Sequence, residues 1–327
     1  MTIRVGVIGA GIMGTDHAAI ADGRVSGCAV SAVFDVEADR ARHVSAGLRS
    51  ARVAESGEEL IAADDVDAVI VASSDATHAG FVHAAIAAGK PVLCEKPLAP
   101  TASDCAAIVD AVDQTHASVS VGFMRRFDPA YVELKASLAS GEIGDAIIVH
   151  NQSRGVTSGP GATSEGLITG SAIHELDIVP WLLDSPVVEV SWHGTVSART
   201  DLVDPQFLLL RTKRGVLATL EVFLNARYGY DIRCEVVGSS GTRELVSGFA
   251  TTTALEGRRE VGFGQDWRPR FAEAYRREQQ AWIDGLRDGT ESALATARDG
   301  WAAARVADAA IEAMARPGIP VAVEPAR

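Results

Sequence analysis

The sequence Ile3-Arg-Val-Gly-Val-Ile-Gly-Ala-Gly-Ile-Met-Gly14 joins a short apolar run to a glycine-rich turn. The apolar run has the length and composition of a buried strand, and a helical pattern follows it over residues 12–21. A strand, a GxGxxG turn and a helix in this order are typical of the first unit of a dinucleotide-binding domain. The alternative is a glycine-rich turn in some other α/β protein.

Each glycine of the turn has a predicted task. Gly9 permits the tight turn, Gly11 lets the backbone approach a pyrophosphate, and Gly14 allows the helix to pack closely on the sheet. The predicted helix begins with Ile12 and Met13. Its first turn offers unpaired backbone N–H groups to phosphates. We therefore expect residues 9–14 to bind the cofactor.

The first 122 residues alternate strand-like and helix-like patterns, which predicts right-handed crossovers and a parallel sheet. The rhythm then changes to consecutive strands with tight turns, which predicts antiparallel pairing. The predicted strands are 3–8, 29–34, 68–72, 92–94, 118–122, 145–151, 187–196, 206–212, 215–225, 231–239 and 242–247. A loop is predicted over 152–169, and the closing helices over 270–288 and 296–315.

The predicted fold class is α/β. Residues 1–122 are expected to form a Rossmann-type doubly wound parallel sheet that binds a dinucleotide. Residues 123–327 are expected to form an α+β domain with a large, mostly antiparallel open sheet, for substrate binding and oligomerisation.

Composition narrows the possible functions. The chain has 327 residues, 47 % of them apolar, which is enough for two cores. Its net charge of −13 disfavours a nucleic-acid binder. We find no apolar stretch of membrane-spanning length and no secretory signal, so we expect a cytoplasmic protein. The four cysteines indicate neither a zinc site nor a disulfide framework: Cys28, Cys94, Cys105 and Cys234.

Asp35 ends the second predicted strand, about 20 residues after the glycine turn, where a carboxylate can bind the ribose hydroxyls of an adenosine. The same charge would repel a 2′-phosphate, so NAD is predicted in preference to NADP. Arg40 could reduce that preference for NAD over NADP. The alternative role for Asp35 is to cap a helix.

Glu95-Lys96-Pro97 follows a short strand at the carboxyl edge of the predicted parallel sheet, where open α/β sheets bind ligands. A partly desolvated lysine there can hold an alcohol oxygen and stabilise the charge that grows on it as hydride leaves. By spacing alone, Lys96 is equally well an ordinary surface residue.

Several motifs together resemble the Gfo/Idh/MocA oxidoreductases along the whole chain. Three of them resemble the inositol 2-dehydrogenase branch: Val121–Tyr131, Tyr228–Gly238 and Asp266–Tyr275. The motifs shared with the family at large are Gly9–Gly14, Ala87–Pro97 and the helix Ile173-His-Glu-x-Asp177. The resemblance implies an NAD-dependent oxidation of a ring CH–OH group in a cyclitol or sugar, by a homotetramer or homodimer assembled through the open sheet.

By this resemblance, Lys96 polarises the substrate oxygen and His174 is the general base. An imidazole suits that role because its pKa lies near the working pH. Without the family pattern, His174 would be a helix cap or core residue. A metal site with Glu175 and Asp177 is the remaining alternative, but the spacing is not HExxH and the chemistry needs no metal.

The sequence departs from the family at Gly170, in Thr169-Gly-Ser-Ala-Ile-His174, where the pattern has an aspartate. That aspartate would fix the imidazole tautomer, so its loss weakens the case for full activity on the standard substrate. Gly170 could instead make room for a bulkier or acidic substrate.

Other site residues are secondary. On the cofactor side we expect Ser73, Ser74, Thr77, His78 and Glu95, with Lys96. On the substrate side we expect Arg126, Asp128, Arg154 and Tyr230, with His174. For the first four substrate-side residues a structural role is an equal alternative, and Asp128 could cap a helix.

The sequence thus favours an NAD-dependent cyclitol or sugar dehydrogenase. One alternative is a ketoreductase that uses the same site in reverse, in sugar or aminocyclitol biosynthesis. Another is an NAD-binding sensor with weakened catalysis, which only Gly170 favours.

Overall fold

The computed structural model of the chain describes residues 2–197, 202–245, 252–290 and 293–325. The chain forms two compact units. Unit 1 comprises Met1–Phe127 and Glu273–Ala304, and unit 2 comprises Asp128–Ala272 and Arg305–Arg327.

Strands and helices alternate at first, and strands predominate later. The strands are β1 (Ile3–Ile8), β2 (Cys28–Phe34), β3 (Arg52–Val53), β4 (Ala68–Val71), β5 (Val92–Glu95), β6 (Val119–Gly122), β7 (Ala146–Arg154), β8 (Val187–Gly194), β9 (Gln206–Thr212), β10 (Leu217–Phe223), β11 (Asp231–Gly238), β12 (Thr242–Glu244), β13 (Thr253–Leu255), β14 (Arg258–Glu260), β15 (Ala295–Thr296) and β16 (Val321–Ala322). The helices are α1 (Ile12–Gly23), α2 (Ala38–Ala46), α3 (Gly57–Ala62), α4 (Asp75–Ala87), α5 (Ala102–Thr115), α6 (Pro129–Ala139), α7 (Ser164–Leu167), α8 (Ile173–Leu183), α9 (Trp267–Asp288) and α10 (Ala297–Ala313), with a 3₁₀ turn at Met124–Phe127 and a π-helical turn at Ile168–Ala172.

Unit 1 is built on a seven-stranded sheet in the order β15-β6-β5-β4-β1-β2-β3. All neighbours are parallel except β15, which pairs antiparallel with β6. Every residue of β4, β5 and β6 is buried, as expected for parallel strands covered on both faces. The strand order reverses between β1 and β4, so the glycine turn after β1 lies at the switch point where such sheets bind ligands.

Unit 2 is built on a second seven-stranded sheet, in the order β12-β11-β7-β10-β9-β8-β16. Only the β7–β10 pair is parallel. Burial alternates along β7: Val149, Asn151 and Ser153 are buried, whereas the side chains between them are not. On the other face of this sheet Phe207 is 36 % exposed. The predicted α/β class, with a parallel sheet followed by a mostly antiparallel one, is confirmed.

The predicted boundary after residue 122 lies close to the end of the first segment of unit 1. The prediction differs for residues 273–304, which it assigned to the second domain. These residues belong to unit 1 because their strand β15 extends the parallel sheet: Ala295 pairs with Val121. A two-residue strand has too little periodicity to be recognised in a sequence.

Two local predictions also differ from the structure. The predicted loop 152–169 contains the end of β7 and the short helix α7, which Thr163 caps by accepting a 2.9 Å hydrogen bond from Gly166 N–H. The predicted strand 242–247 forms over Thr242–Glu244, and its residues 246–247 lie outside the described ones. Within the described ranges, the helices lack the length and apolar character that crossing a membrane requires.

Candidate active site

The glycine turn of unit 1 has little room for side chains at two positions and open space at the third. Gly9 has φ +96°, and a Cβ there would lie 2.4 Å from the Ala72 carbonyl oxygen. A Cβ at Gly14 would lie 1.8 Å from the Gly9 carbonyl oxygen, whereas one at Gly11 would meet nothing within 4 Å. The turn therefore packs tightly against protein backbone at Gly9 and Gly14. At Gly11 it leaves the space that a pyrophosphate would occupy.

The N-terminus of α1 lies at this turn. No side chain caps it, so the backbone N–H groups of its first turn are available to an anion. Ile12 is 58 % exposed beside them, and Met13 is half-buried. These residues fit the diphosphate of a dinucleotide.

Asp35 is held against the same turn. Its carboxylate accepts hydrogen bonds from Ala10 N–H at 2.7 Å and from Glu37 N–H at 2.8 Å. Each oxygen keeps a lone pair for a ribose hydroxyl. The residue at the N-cap of α2 is Glu37, so Asp35 orders the turn before that helix rather than capping it. Arg40 is exposed on the first turn of α2.

The loop after β4 carries the next predicted cofactor residues. The hydroxyls of Ser73 and Thr77 lie 2.7 Å apart, and Thr77 donates to the Ser74 carbonyl. His78 is only 1 % exposed, and its ring nitrogens lie 2.7 Å from the Pro97 carbonyl oxygen and 3.2 Å from that of Ser73. Both ring nitrogens face protein carbonyls, so His78 helps to hold the Pro97 turn, and its contact with a cofactor stays a prediction.

The Glu95-Lys96-Pro97 turn begins at the last residue of β5, two strands from β1 and on the same edge of the sheet. Glu95 is 7 % exposed, and one carboxylate oxygen lies 2.7 Å from His17 Nε2. The other oxygen accepts a 3.1 Å hydrogen bond from Lys96 N–H. Burial by itself raises the pKa of the Glu95 carboxyl, but His17 and the positive charge of Lys96 hold that pKa below its ordinary value. Glu95 is thus an ionised group beneath a half-buried lysine.

His17 was not predicted from the sequence. It is a polar residue on the buried face of α1, three positions after Gly14. That position is the one feature of the sequence that indicates a role for it. The contact with Glu95 joins residues 78 positions apart, which sequence spacing does not reveal.

Arg126 of unit 1 forms an ion pair with Asp299 at 3.2 Å. Burial raises the pKa of the Asp299 carboxyl, but the charge of Arg126 and hydrogen bonds from Thr296 lower it overall. No motif or spacing in the sequence indicates this partner. Contact of Arg126 with a polyol stays a prediction.

Asp128 of unit 2 is 3 % exposed and bonds Arg270 through both oxygens, at 2.8 and 2.9 Å. Burial lowers the pKa of the Arg270 guanidinium, yet the bonds to Asp128 raise it overall. The predicted alternative, a side-chain cap for α6, is not formed. Its near-complete burial and its pair with Arg270 give Asp128 a structural role, and its contact with a polyol stays a prediction.

His174 lies at the start of α8, directly after the π-helical turn Ile168–Ala172. Such single π-turns in helices are frequent at functional sites. A Cβ at Gly170, inside this turn, would meet nothing within 4 Å. Glu175 and Asp177 are buried on α8, at 1 % and 2 % exposure. In the described part of the chain, no group of His, Cys, Asp and Glu side chains could hold a metal ion.

Arg154 and Tyr230 are the remaining substrate-side predictions. Arg154 bonds both oxygens of Glu221, at 2.6 and 2.9 Å, and that bonding raises the pKa of its guanidinium. On β7, Arg154 and Asn151 lie on opposite faces of the sheet. Tyr230 pairs through its backbone with Gly264, and its ring packs edge-on against Phe271. Contact of either residue with substrate stays a prediction.

A doubly wound sheet with this glycine turn and a carboxylate after β2 defines an NAD-binding oxidoreductase domain. The sequence matches the oxidoreductase family with an NAD-binding Rossmann fold over residues 3–123. It matches the GFO/IDH/MocA C-terminal domain over residues 131–244. The chain therefore belongs to the Gfo/Idh/MocA oxidoreductase family.

Three similar proteins cover almost the full length. Inositol 2-dehydrogenase 2 of Paenarthrobacter aurescens is 50 % identical over 96 % of each chain. Inositol 2-dehydrogenase 1 of Saccharopolyspora erythraea is 46 % identical over 99 % of this chain and 97 % of its own. The crystal structure of myo-inositol dehydrogenase from Lactobacillus casei with NAD(H) and myo-inositol is 30 % identical, has a TM-score of 0.94, and covers 100 % of this chain and 98 % of that one.

Proposed function

We propose that this protein is an NAD-dependent inositol 2-dehydrogenase, which oxidises a ring secondary alcohol of myo-inositol. The observation that carries the proposal is the full-length similarity to two enzymes of that name, at 50 % and 46 % identity. The geometry of unit 1 supports it, because the glycine turn and Asp35 form a site that fits NAD.

The cofactor would be held by residues of unit 1. The backbone of the glycine turn and the first turn of α1 bind the diphosphate, and Asp35 accepts hydrogen bonds from the adenosine ribose. Ser73, Ser74 and Thr77 present hydroxyls at the end of β4, on the same edge of the sheet. When bound, NAD accepts the hydride from the ring carbon that carries the hydroxyl.

Two side chains would act on the alcohol. The Lys96 ammonium donates a hydrogen bond to the substrate oxygen and stabilises the negative charge that develops on it. His174 accepts the hydroxyl proton as the C–H bond breaks, so the alcohol becomes a ketone. No metal is required for this chemistry.

We further propose a homotetramer or homodimer that uses the open face of the unit 2 sheet. This face carries the exposed apolar side chain of Phe207, at 36 % exposure. A cytoplasmic location is proposed as well, because all four cysteines are buried free thiols, as is usual in a reducing compartment.

The proposal is tested by supplying the purified protein with NAD or NADP and a panel of inositol isomers and sugars, while NADH formation is followed by absorbance. We expect myo-inositol with NAD to give the highest kcat/KM. Reduction of the corresponding ketone by NADH tests the reverse direction. Absence of NADH formation with every cyclitol would contradict the proposed function.

A further inference from the structure

Two hydrogen bonds join the cofactor helix α1 to the turn that carries Lys96. His17 on α1 lies 2.7 Å from one oxygen of Glu95, and the other oxygen of Glu95 accepts from the backbone N–H of Lys96 at 3.1 Å. Both side chains are almost completely removed from solvent, at 1 % and 7 % exposure. A buried carboxylate with two such donors has little freedom to move.

The proton positions in this series of hydrogen bonds follow from the charge of Glu95. An ionised carboxylate only accepts hydrogen bonds, so His17 donates from Nε2. Its Nδ1 then accepts from the Gln279 amide, whose nitrogen lies 2.8 Å away. Gln279 is 1 % exposed, and Tyr275 packs edge-on against the imidazole at 5.7 Å between ring centroids. These contacts hold the ring in one orientation.

We infer that His17 is a positioning residue for Lys96, and that it acts through the Glu95 carboxylate. This inference rests on the proposed function, because it gives Lys96 its task. His17 keeps Glu95 in place and in its ionised form. Glu95 in turn holds the backbone of Lys96, and its negative charge interacts with the Lys96 ammonium group.

Loss of the His17 hydrogen bond should change the pKa of Glu95 in a predictable direction. Burial raises the pKa of the Glu95 carboxyl, and the bond from His17 is the largest of the effects that lower it. Without that bond the pKa of Glu95 rises, so its charge is lost at higher pH than in the wild type. Among the described residues, His17 from α1 and Lys96 from the same turn lower the pKa of Glu95, and the buried thiol of Cys94 on β5 is also coupled to its charge. Gly122 faces it from β6, and Tyr275 and Gln279 pack on the other side of His17.

The kinetic test replaces His17 with Leu, which fills similar space without a donor. We expect kcat for myo-inositol to fall by about ten- to a hundredfold, as for a displaced catalytic group, while the Kd for NAD stays within about threefold. The acid limb of the kcat–pH profile should move to higher pH. A substrate deuterated at the reacting carbon should show a larger isotope effect on kcat, because the chemical step has slowed.

The matched control is Asp22→Asn. Asp22 is also a buried polar residue of α1, at 8 % exposure, but it bonds Val30 and Arg49 rather than the Lys96 turn. This variant should lower thermal stability and leave the pH profile and isotope effect unchanged. If it reproduced the effects of His17→Leu, those effects would come from general loosening of unit 1 and the inference would be wrong.

A double-mutant cycle tests the route of the effect. In a Glu95→Gln background, adding His17→Leu should cost little more, since residues that act through one contact are not additive. Independent, multiplicative losses would contradict the inference.

A second variant serves if His17→Leu does not fold. Gln279→Met removes the contact that holds the His17 ring. It should move the acid limb of the kcat–pH profile to higher pH as well, by a smaller amount than His17→Leu. An unchanged limb would then overturn the inference.

A measurement without turnover separates this inference from the proposed function. The chain has four lysines, Lys90, Lys96, Lys135 and Lys213, so reductive ¹³C-methylation gives a simple NMR spectrum in which Lys96→Arg identifies one signal. That signal should shift in His17→Leu and not in Asp22→Asn. If the wild type did not oxidise myo-inositol, the proposed function would fail while this test remained decisive. An unmoved Lys96 signal would overturn the positioning role.

Discussion

The backbone N–H of Ala10 donates a 2.7 Å hydrogen bond to the carboxylate of Asp35. Ala10 lies inside the glycine turn after β1, and Asp35 follows the neighbouring strand β2. The carboxylate that would bind the ribose is thus attached to the turn that would bind the diphosphate. Selection of the cofactor and the shape of its phosphate site therefore depend on each other.

The first prediction concerns this carboxylate. Asp35→Ser should narrow the preference for NAD over NADP, because it removes a charge that repels a 2′-phosphate. It should also weaken NAD binding by about tenfold, since bonds to a charged acceptor are lost. The ratio of kcat/KM values for the two cofactors measures the change. A wild-type protein that already used NADP at least as efficiently would show that the argument from Asp35 is wrong.

Gly11 and Gly14 should respond differently to the same small change. Gly14→Ala places a Cβ 1.8 Å from the Gly9 carbonyl oxygen, so we expect destabilisation by about 1–3 kcal/mol or more. Gly11→Ala meets no protein atom within 4 Å, so stability should change by less than about 1 kcal/mol. Its methyl group would nevertheless enter the space for the diphosphate and weaken NAD binding. Thermal unfolding and calorimetric titration with NAD, applied to both variants, measure the two effects separately. Normal NAD affinity in Gly11→Ala would contradict the proposed cradle.

Lys96→Ala should abolish turnover and leave NAD binding largely intact. In the proposed mechanism the ammonium acts on the reacting oxygen, whereas the 9–14 turn would hold the diphosphate. Calorimetric titration with NAD beside steady-state kinetics separates the two effects. Equal losses of binding and turnover would remove Lys96 from the chemistry.

Asp128 offers a choice between a structural and a substrate-binding role. Its replacement by Ala leaves the partly buried Arg270 without its partner, and breaking a buried ion pair typically costs about 3–5 kcal/mol. We expect a lower free energy of unfolding and a KM for myo-inositol within about twofold of the wild type. Urea unfolding and steady-state kinetics test this. A large rise in KM without loss of stability would identify Asp128 as a substrate ligand instead.

The last prediction concerns Gly170, which lies one turn before His174. The open space at its Cβ position admits an aspartate, so Gly170→Asp should supply the carboxylate that the family pattern has there. General-base assistance is typically worth about 10²–10⁴-fold, and an orienting carboxylate supplies part of it. We expect kcat on an inositol-like substrate to rise by about tenfold or more.

The control for this change is Gly170→Asn, which has the same size and no charge. It should not raise kcat. A fall in activity with Asp alone would indicate that the true substrate carries an acidic group, and a fall with both would indicate a bulkier substrate. Rates within about twofold of the wild type on every accepted substrate would place residue 170 away from the reacting atoms and put the assignment of His174 in doubt.

The sequence by itself determined the class of fold and the place of the cofactor turn. Gly9, Gly11 and Gly14 could be assigned their tasks because steric limits on a strand–turn–helix connection act between residues a few positions apart. Burial of both faces of a parallel sheet likewise produces continuous apolar runs such as Val69–Val71. Such local rules can be seen in one sequence.

The tertiary structure alone decided the partners of the polar residues. Asp128 is paired with Arg270, 142 positions away, and His17 lies between Glu95 and Gln279. The edge strand β15 returns to β6 from the far end of the sequence. These contacts depend on which surfaces the packed elements bring together, and no spacing or periodicity of the chain encodes them. A buried charge needs a partner, but only the fold determines which one it meets.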